Sequence, residues 1–388
     1  MKTRHFGALA GAVAVAIALT GCVPNRASAD AEALAVSVTD DTCTVSKATA
    51  PGGPVTFQVT NNGTDVNEFE ILAADKLRIA GEKENIGPGT TVNYVVQLAE
   101  GTYYTACKKG MVGDLVDVRT FTVTAGKTSK ASQSESRQIA QAVTNYISYV
   151  KDQSGQLLTA TQKFAAAYAA GEVAAARAQY PATRRFYERI EPTAEQFGDI
   201  DPALDLREAD LEQGQAWTGW HRIEKDLWAP AGYTAATPAE RTKLADKLVS
   251  DTRKLYDLVH AKDFTLTIDQ ISNGAIGLME EVSRTKITGE EETFSHTDLW
   301  DFMGNVEGAD VAYGIVRGIA SARGVDGRAV VKQLDTRFAA ITAQLSAYRS
   351  GSGYVPYTAL STAQVKELSD GVNALSEPLS KLTSIIVE

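Results

Sequence analysis

The stretch GWHRIEKDLW, residues 219–228, places a histidine and a glutamate three residues apart between two tryptophans. An imidazole nitrogen and a carboxylate oxygen are both good donors to metal cations, and one helical turn brings side chains at i and i+3 together. On a helix that includes Trp217, the residues Trp220, His221, Glu224, Leu227 and Trp228 share a face. The His–Glu pair therefore falls within an apolar stripe, while Arg222, Lys225 and Asp226 fall elsewhere and are expected in solvent. A carboxylate turned toward a core needs compensation. Either Glu224 hydrogen-bonds His221 or an arginine such as Arg184 or Arg185, or a metal ion offsets the burial of both side chains. Spacing alone leaves both readings open. It does separate the motif from two others: a zincin helix needs a second histidine where Lys225 stands, and di-iron bundles use the reverse order, Glu-x-x-His.

Other segments hold further candidate donors. Asp257 and His260, in DLVH, have carboxylate-then-histidine spacing, but a single copy reads better as a helix end. Between residues 277 and 308, SHTD offers Ser295 or Thr297 as an N-cap. On the helix that follows, Trp300, Met303, Gly304 and Glu307 share a face, which makes Glu307 either an inward acid or a surface residue beside Gly308. Toward the N-terminus, CKKGM supplies Cys107 and Met111, and Cys43 lies upstream. In an oxidising compartment two such cysteines default to a disulfide, with metal ligation as the alternative.

Two periodicities organise these residues. From Leu34 to about Thr124, short β-branched runs (LAVSVT, PVTFQVTNNG, NEFEIL, TVNYVVQL, GTYYTAC, VRTFTVT) alternate with Gly, Pro, Asn and Asp clusters, which predicts a β-sandwich over 34–125. The polar segment 126–136 reads as a linker. Helical stripes then run near 135–170, 172–190, 203–228, 238–260, 266–287, 296–323, 326–349 and 370–386, predicting an all-α bundle over 137–388.

The first residues, MKTRHFGALAGAVAVAIALTGC, pair a basic start with a short apolar run ending in Leu-Thr-Gly-Cys. This resembles a bacterial lipoprotein signal over 1–21, with lipid attachment at Cys22 and a tether over 22–33; an ordinary secretory signal cut near Ala-Ser-Ala is the alternative. Both place the protein outside the cytoplasm, and the first ties it to the outer face of the cell membrane. The formal net charge is −10 and becomes −12 once Lys2 and Arg4 are removed, which disfavours nucleic acid as a partner and suits the gathering of cations.

Taken together, YERIEP, TGWHRIEKDLW, EEVSRTKITGEEETFSHTDLWDF and NVEG resemble the EfeO family, the extracytoplasmic component of EfeUOB-type iron uptake. NEFEIL, ENIGPG and GTYYTAC resemble that family's N-terminal cupredoxin-like domain, and the helical part resembles its imelysin-like, peptidase-named domain with a His-x-x-Glu motif. The resemblance implies a binding protein that captures iron, as Fe2+ or Fe3+, with copper and zinc as further candidates. It implies ligation by His221 and Glu224, joined by Glu307 in NVEG and Asp246 in KLADKLVSD. A membrane permease and a haem peroxidase are the implied partners. In the β region a blue-copper centre would need histidines, yet residues 22–126 contain none. Glu68 stands where the first would be, so a site from Glu68 with Cys43 and Cys107, or a Cys43–Cys107 disulfide, is expected, and Glu70, Glu82 and Glu84 are expected in solvent. The competing function is a metallopeptidase of the imelysin type.

Overall fold

The computed structural model describes residues 33–74, 76, 79–111, 115–126 and 133–387. The expected signal segment, the tether up to residue 32 and Cys22 lie outside the described residues, as does most of the linker. No described helix is long and apolar enough to cross a membrane.

Among the described residues, nine strands form the N-terminal region: β1 (Leu34–Val38), β2 (Cys43–Val45), β3 (Thr49–Pro51), β4 (Gly53–Asn61), β5 (Asn67–Leu72), β6 (Ile79–Ile86), β7 (Thr91–Leu98), β8 (Gly101–Lys109) and β9 (Val116–Thr124). They make a four-stranded sheet, β2-β1-β4-β7, and a five-stranded sheet, β3-β9-β8-β5-β6. Pairing is antiparallel except for β1 with β4 and β3 with β9. Inward residues of both sheets meet at Phe57, whose ring centroid is 5.2 Å from that of Phe69 and 5.6 Å from that of Phe121. Every residue of β5 is buried, so its alternation is hidden: Phe69 and Ile71 face the sandwich core, while Glu68 and Glu70 face the helical region.

The helical region comprises α1 (Gln133–Ala169), α2 (Val173–Glu188), α3 (Ile200–Asp205), α4 (Gly219–Trp228), α5 (Pro238–His260), α6 (Ile268–Arg284), α7 (Asp298–Ala322), α8 (Gly324–Ser346), α9 (Thr362–Leu379) and α10 (Leu382–Val387). Capping boxes start α5 (Thr237 with Glu240), α6 (Thr267 with Gln270) and α9 (Ser361 with Gln364). The continuous helix expected over 203–228 is in fact α3, an extended connection and α4. The connection ends at Gly219, the first residue of α4, whose φ of +86° and closeness to the Leu204 carbonyl admit only glycine.

The two regions join along α6. Its Asp269 carboxylate accepts from the Gln97 N–H (2.8 Å), its Asn273 amide donates to the Val95 carbonyl (2.9 Å), and its Glu280 pairs with Lys83. Beside this seam lies a cleft of about 1130 Å³, lined on the strand side by Glu68, Glu70, Glu82, Glu84 and Lys108 and on the helical side by residues that include Asp205 and Glu291.

Candidate metal centre

Helix α4 is anchored by Trp220, which is fully buried against Phe164 and Tyr180 with ring centroids 5.3 and 6.0 Å away. That packing turns His221 and Glu224 inward, at 2% and 0% exposure. Asp226 is buried as well, contrary to expectation. Its carboxylate accepts from the Tyr168 and Tyr233 hydroxyls, the Ala236 N–H and Arg241, so four donors offset its desolvation.

The groups around His221 come from several elements. Helix α2 supplies Arg184 and Glu188, the end of α3 supplies Asp205, the segment before α7 supplies Glu291 and Glu292, and α7 supplies Asp301. Close approach of α7 to α2 requires small residues: a Cβ on Gly304 would sit 2.6 Å from Glu188 Cβ, and one on Gly308 would sit 2.4 Å from the Arg189 carbonyl. Asp301 therefore reaches Arg184 (3.4 Å), and the Asn305 amide donates to Glu188 and Glu191 (2.8 and 2.6 Å).

His221 Nδ1 lies 3.4 Å from Glu224 Oε2, and its Nε2 lies 3.3 Å from Asp205 Oδ1 and 3.8 Å from Glu291 Oε1. The Nε2 contacts fall outside hydrogen-bond geometry, so this buried nitrogen has no hydrogen-bond partner. Two donor sets share the ring: His221 with Asp205 and Glu291, and His221 with Glu224 and Glu292, each with its ligand atoms within 4.8 Å of one another. Such sets of imidazole nitrogen and carboxylate oxygen fit Fe2+, Fe3+ or Zn2+. Fully buried Arg184 bonds Glu188, Asp205, Glu291 (3.1 Å) and Glu292 (2.6 Å), and buried Lys286 reaches Glu188 (3.4 Å), Glu191 (2.6 Å) and Glu291 (3.5 Å).

Acidity nevertheless exceeds the protein's own cations here. Glu188, Asp205, Glu224, Glu291, Glu292 and Asp301 face Arg184, Lys286, Arg207 (3.5 Å from Glu291) and one imidazole. Burial, reinforced by Glu224 and Asp301, pushes the Glu292 carboxyl well above the usual carboxylate range, and burial does the same to Asp301. Burial and Arg184 oppose a charge on His221, but its contacts to Asp205 and Glu224 outweigh them and raise it to about 9. Asp205 is held low despite burial, chiefly by Arg184, and Glu224 despite burial by His221.

The structure does not bring two expected residues to this cluster. Glu307 sits on α7 but is gripped by Arg185 and by Arg189 (2.8 Å), and Asp246 is exposed on α5. Asp205, Glu291 and Glu292 were not anticipated, although GEEETF lay within a stretch already singled out.

In the β region Cys43 and Cys107 form a disulfide, which removes the thiolate a blue-copper centre uses. Cys107 pairs across strands with Phe69, whereas Glu68 pairs with Lys108 one register position away. Neighbouring residues of a strand point to opposite faces, so the disulfide lies in the sandwich core while Glu68 lies in the cleft. Glu68 and the cysteines thus do not build one site. Glu70 and Glu82 are buried beside Glu68, correcting the expectation that they are solvated, and Glu84 is half-buried. Lys108 is 2.9 Å from Glu70 and 3.8 Å from Glu68, whose carboxyl is pushed well up by burial and by Glu82.

Comparison with known proteins agrees with this layout. The family model described as Imelysin matches residues 142–382, and that of a cupredoxin-like domain matches 11–116. The chain is 33% identical over 362 residues to a Yersinia pestis protein named iron uptake system component EfeO, with 92% of each chain covered. Proteins of the same name from Escherichia coli O1:K1 (34% over 364 residues, 92% of each chain) and Yersinia pseudotuberculosis serotype I (32% over 376 residues, 96% of each) are also similar. With a cupredoxin-like region preceding an imelysin region and relatives aligned along more than nine-tenths of their length, the chain belongs to the EfeO family.

Proposed function

We propose that this protein is the extracytoplasmic iron-capturing component of an EfeUOB-type uptake system, tethered by a lipid on Cys22. It takes up iron at the His221–Glu224 cluster and passes it to a membrane permease that works alongside a haem peroxidase. The observation that carries this reading is the buried Nε2 of His221, without a hydrogen bond and set among carboxylates that outnumber the neighbouring cations. Hard oxygen donors with one imidazole suit iron, and copper has no thiolate or second histidine here. The family name of the relatives and the acidic cleft leading to Asp205 and Glu291 support the same reading.

The role is binding, not catalysis. A peptidase would need a metal-polarised water with a free base beside it. Both oxygens of Glu224 are already engaged, one by the Phe294 and Ser295 N–H groups and one by His221. Titration with Fe(II), Fe(III), Cu(II) and Zn(II) tests the reading. The wild type should bind one tight iron in the helical region, and the His221→Ala, Glu224→Ala double variant should lose it by about 1000-fold, near 4 kcal/mol. Unchanged stoichiometry and affinity in the double variant would refute it.

A further inference from the structure

The two faces of the His221 ring are not equivalent, and their surroundings distinguish a ligand side from a support side. On the Nδ1 side every neighbour is already engaged. Glu224 Oε1 accepts from the Phe294 N–H (2.9 Å) and the Ser295 N–H (2.6 Å), while its Oε2 faces Nδ1. Glu292 accepts from the Ser295 hydroxyl (2.8 Å) through one oxygen and, through the other, from the Tyr180 hydroxyl (3.2 Å) and Arg184 (2.6 Å). Both carboxylates are fully buried, and neither lines the cleft. A cation between them would have to take Glu224 Oε2 from Nδ1 and compete with Arg184 and the Ser295 and Tyr180 hydroxyls for Glu292.

The Nε2 side is built differently. This nitrogen is buried and lacks a hydrogen-bond partner, and its two carboxylate neighbours, Asp205 and Glu291, both line the cleft. Their present partners are side-chain cations, Arg184, Lys286 and, at Glu291, Arg207 (3.5 Å), which an arriving metal ion can replace in charge.

We infer that the cation binds at His221 Nε2 together with Asp205 and Glu291, and that Glu224 is a positioning residue: clamped by two backbone amides, it accepts from Nδ1 and aims Nε2 at the two carboxylates that line the cleft. One helical turn then supplies a ligand and its orienting carboxylate, the carboxylate–histidine–metal arrangement, in place of two ligands. The inference rests on the reading of His221 as the iron site and specifies which atoms of that site touch the metal.

The test uses the full chain labelled with 15N-histidine and loaded with 113Cd(II) as a diamagnetic probe. Nε2 is recognised by its couplings to both ring C–H protons, and cadmium coupling should appear at that nitrogen of His221. In parallel, Glu224→Gln should keep one bound iron within about tenfold of wild type and Glu224→Ala should weaken it by about 10–100-fold. Asp205→Asn and Glu291→Gln should each weaken it more than Glu224→Ala does. Cadmium coupling at Nδ1, or loss in Glu224→Gln as complete as in Asp205→Asn, overturns the assignment while leaving His221 as the iron site. Wild-type iron binding in His221→Ala overturns the site itself and the assignment with it. The wild-type spectrum decides even where a variant fails to fold.

Discussion

The cleft has two acidic walls, and they are built from different materials. Behind the helical wall, carboxylates surround a buried imidazole whose Nε2 has no hydrogen bond, and Arg184 and Lys286, both inaccessible to solvent, hold the carboxylates in place. On the strand wall, Glu68, Glu70 and Glu82 cluster together, the first two beside the partly exposed Lys108, and the cysteine sulfurs are locked in a disulfide on the other face of the sheet. Both walls are acidic. Only the helical one combines a nitrogen donor, fixed carboxylates and an orienting second layer, and those features separate a selective site from an acidic surface. The strand wall is suited to raising the local cation concentration in front of it.

The contrast can be broken at its supports. Arg184→Met leaves several buried carboxylates without their guanidinium and should destabilise the metal-free protein by about 3–5 kcal/mol. Lys108→Met, which removes a partly exposed ammonium from buried carboxylates, should cost less, about 1–2 kcal/mol. Denaturant titration of both variants measures the difference, and equal losses would erase the distinction between the walls. Next in size is the disulfide, whose cysteines are 64 residues apart. Replacing Cys43 and Cys107 with alanine should lower stability by about 4 kcal/mol or somewhat less through loop-closure entropy. Iron stoichiometry should stay unchanged, because the bridge faces the sandwich core.

A smaller effect is expected from pH. Burial raises Asp201, Glu281 and Asp298 to about 7, so their contributions are fully present below the ordinary carboxylate range and are lost as pH rises through 7. His221, raised to about 9, contributes below its ordinary value near 6.5 and loses that contribution as pH climbs through 9. Asp205, Glu224 and Glu291 are shifted down and weaken the fold only below their ordinary values. Thermal melts of chelated protein should therefore show a maximum near pH 5 and a melting temperature that falls from there toward pH 9. A melting temperature that rises steadily over that range would show that the acidic interior is not proton-loaded.

How much of this was legible beforehand depends on sequence distance. The His221–Glu224 pair was visible because both residues lie on one turn and the flanking tryptophans mark the buried face. Six of the nine strands were visible as β-branched runs, whereas β6, IAGEKENI, was hidden by its charges. Those charges, like Glu70, are buried because the helical region covers the outer face of the sheet, and no local pattern reports what will pack on a strand from another region. Asp205 and Glu291 were missed for a related reason: they reach His221 only after α3 and the segment before α7 fold back on α4. Glu307 was a near miss on the right helix. The stripe that faces α2 is Asp301, Gly304, Asn305 and Gly308, and Glu307 stands about 100° around from Gly308, where Arg185 and Arg189 take it.

The central claim is that iron belongs on the helical wall, beside His221. Anomalous scattering at the iron edge from crystals of the iron-loaded full chain addresses it without any substitution. The account predicts a single strong peak within bonding distance of His221 Nε2, flanked by Asp205 and Glu291. A peak confined to Glu68, Glu70 and Glu82, with His221 bonded only to protein, would contradict it.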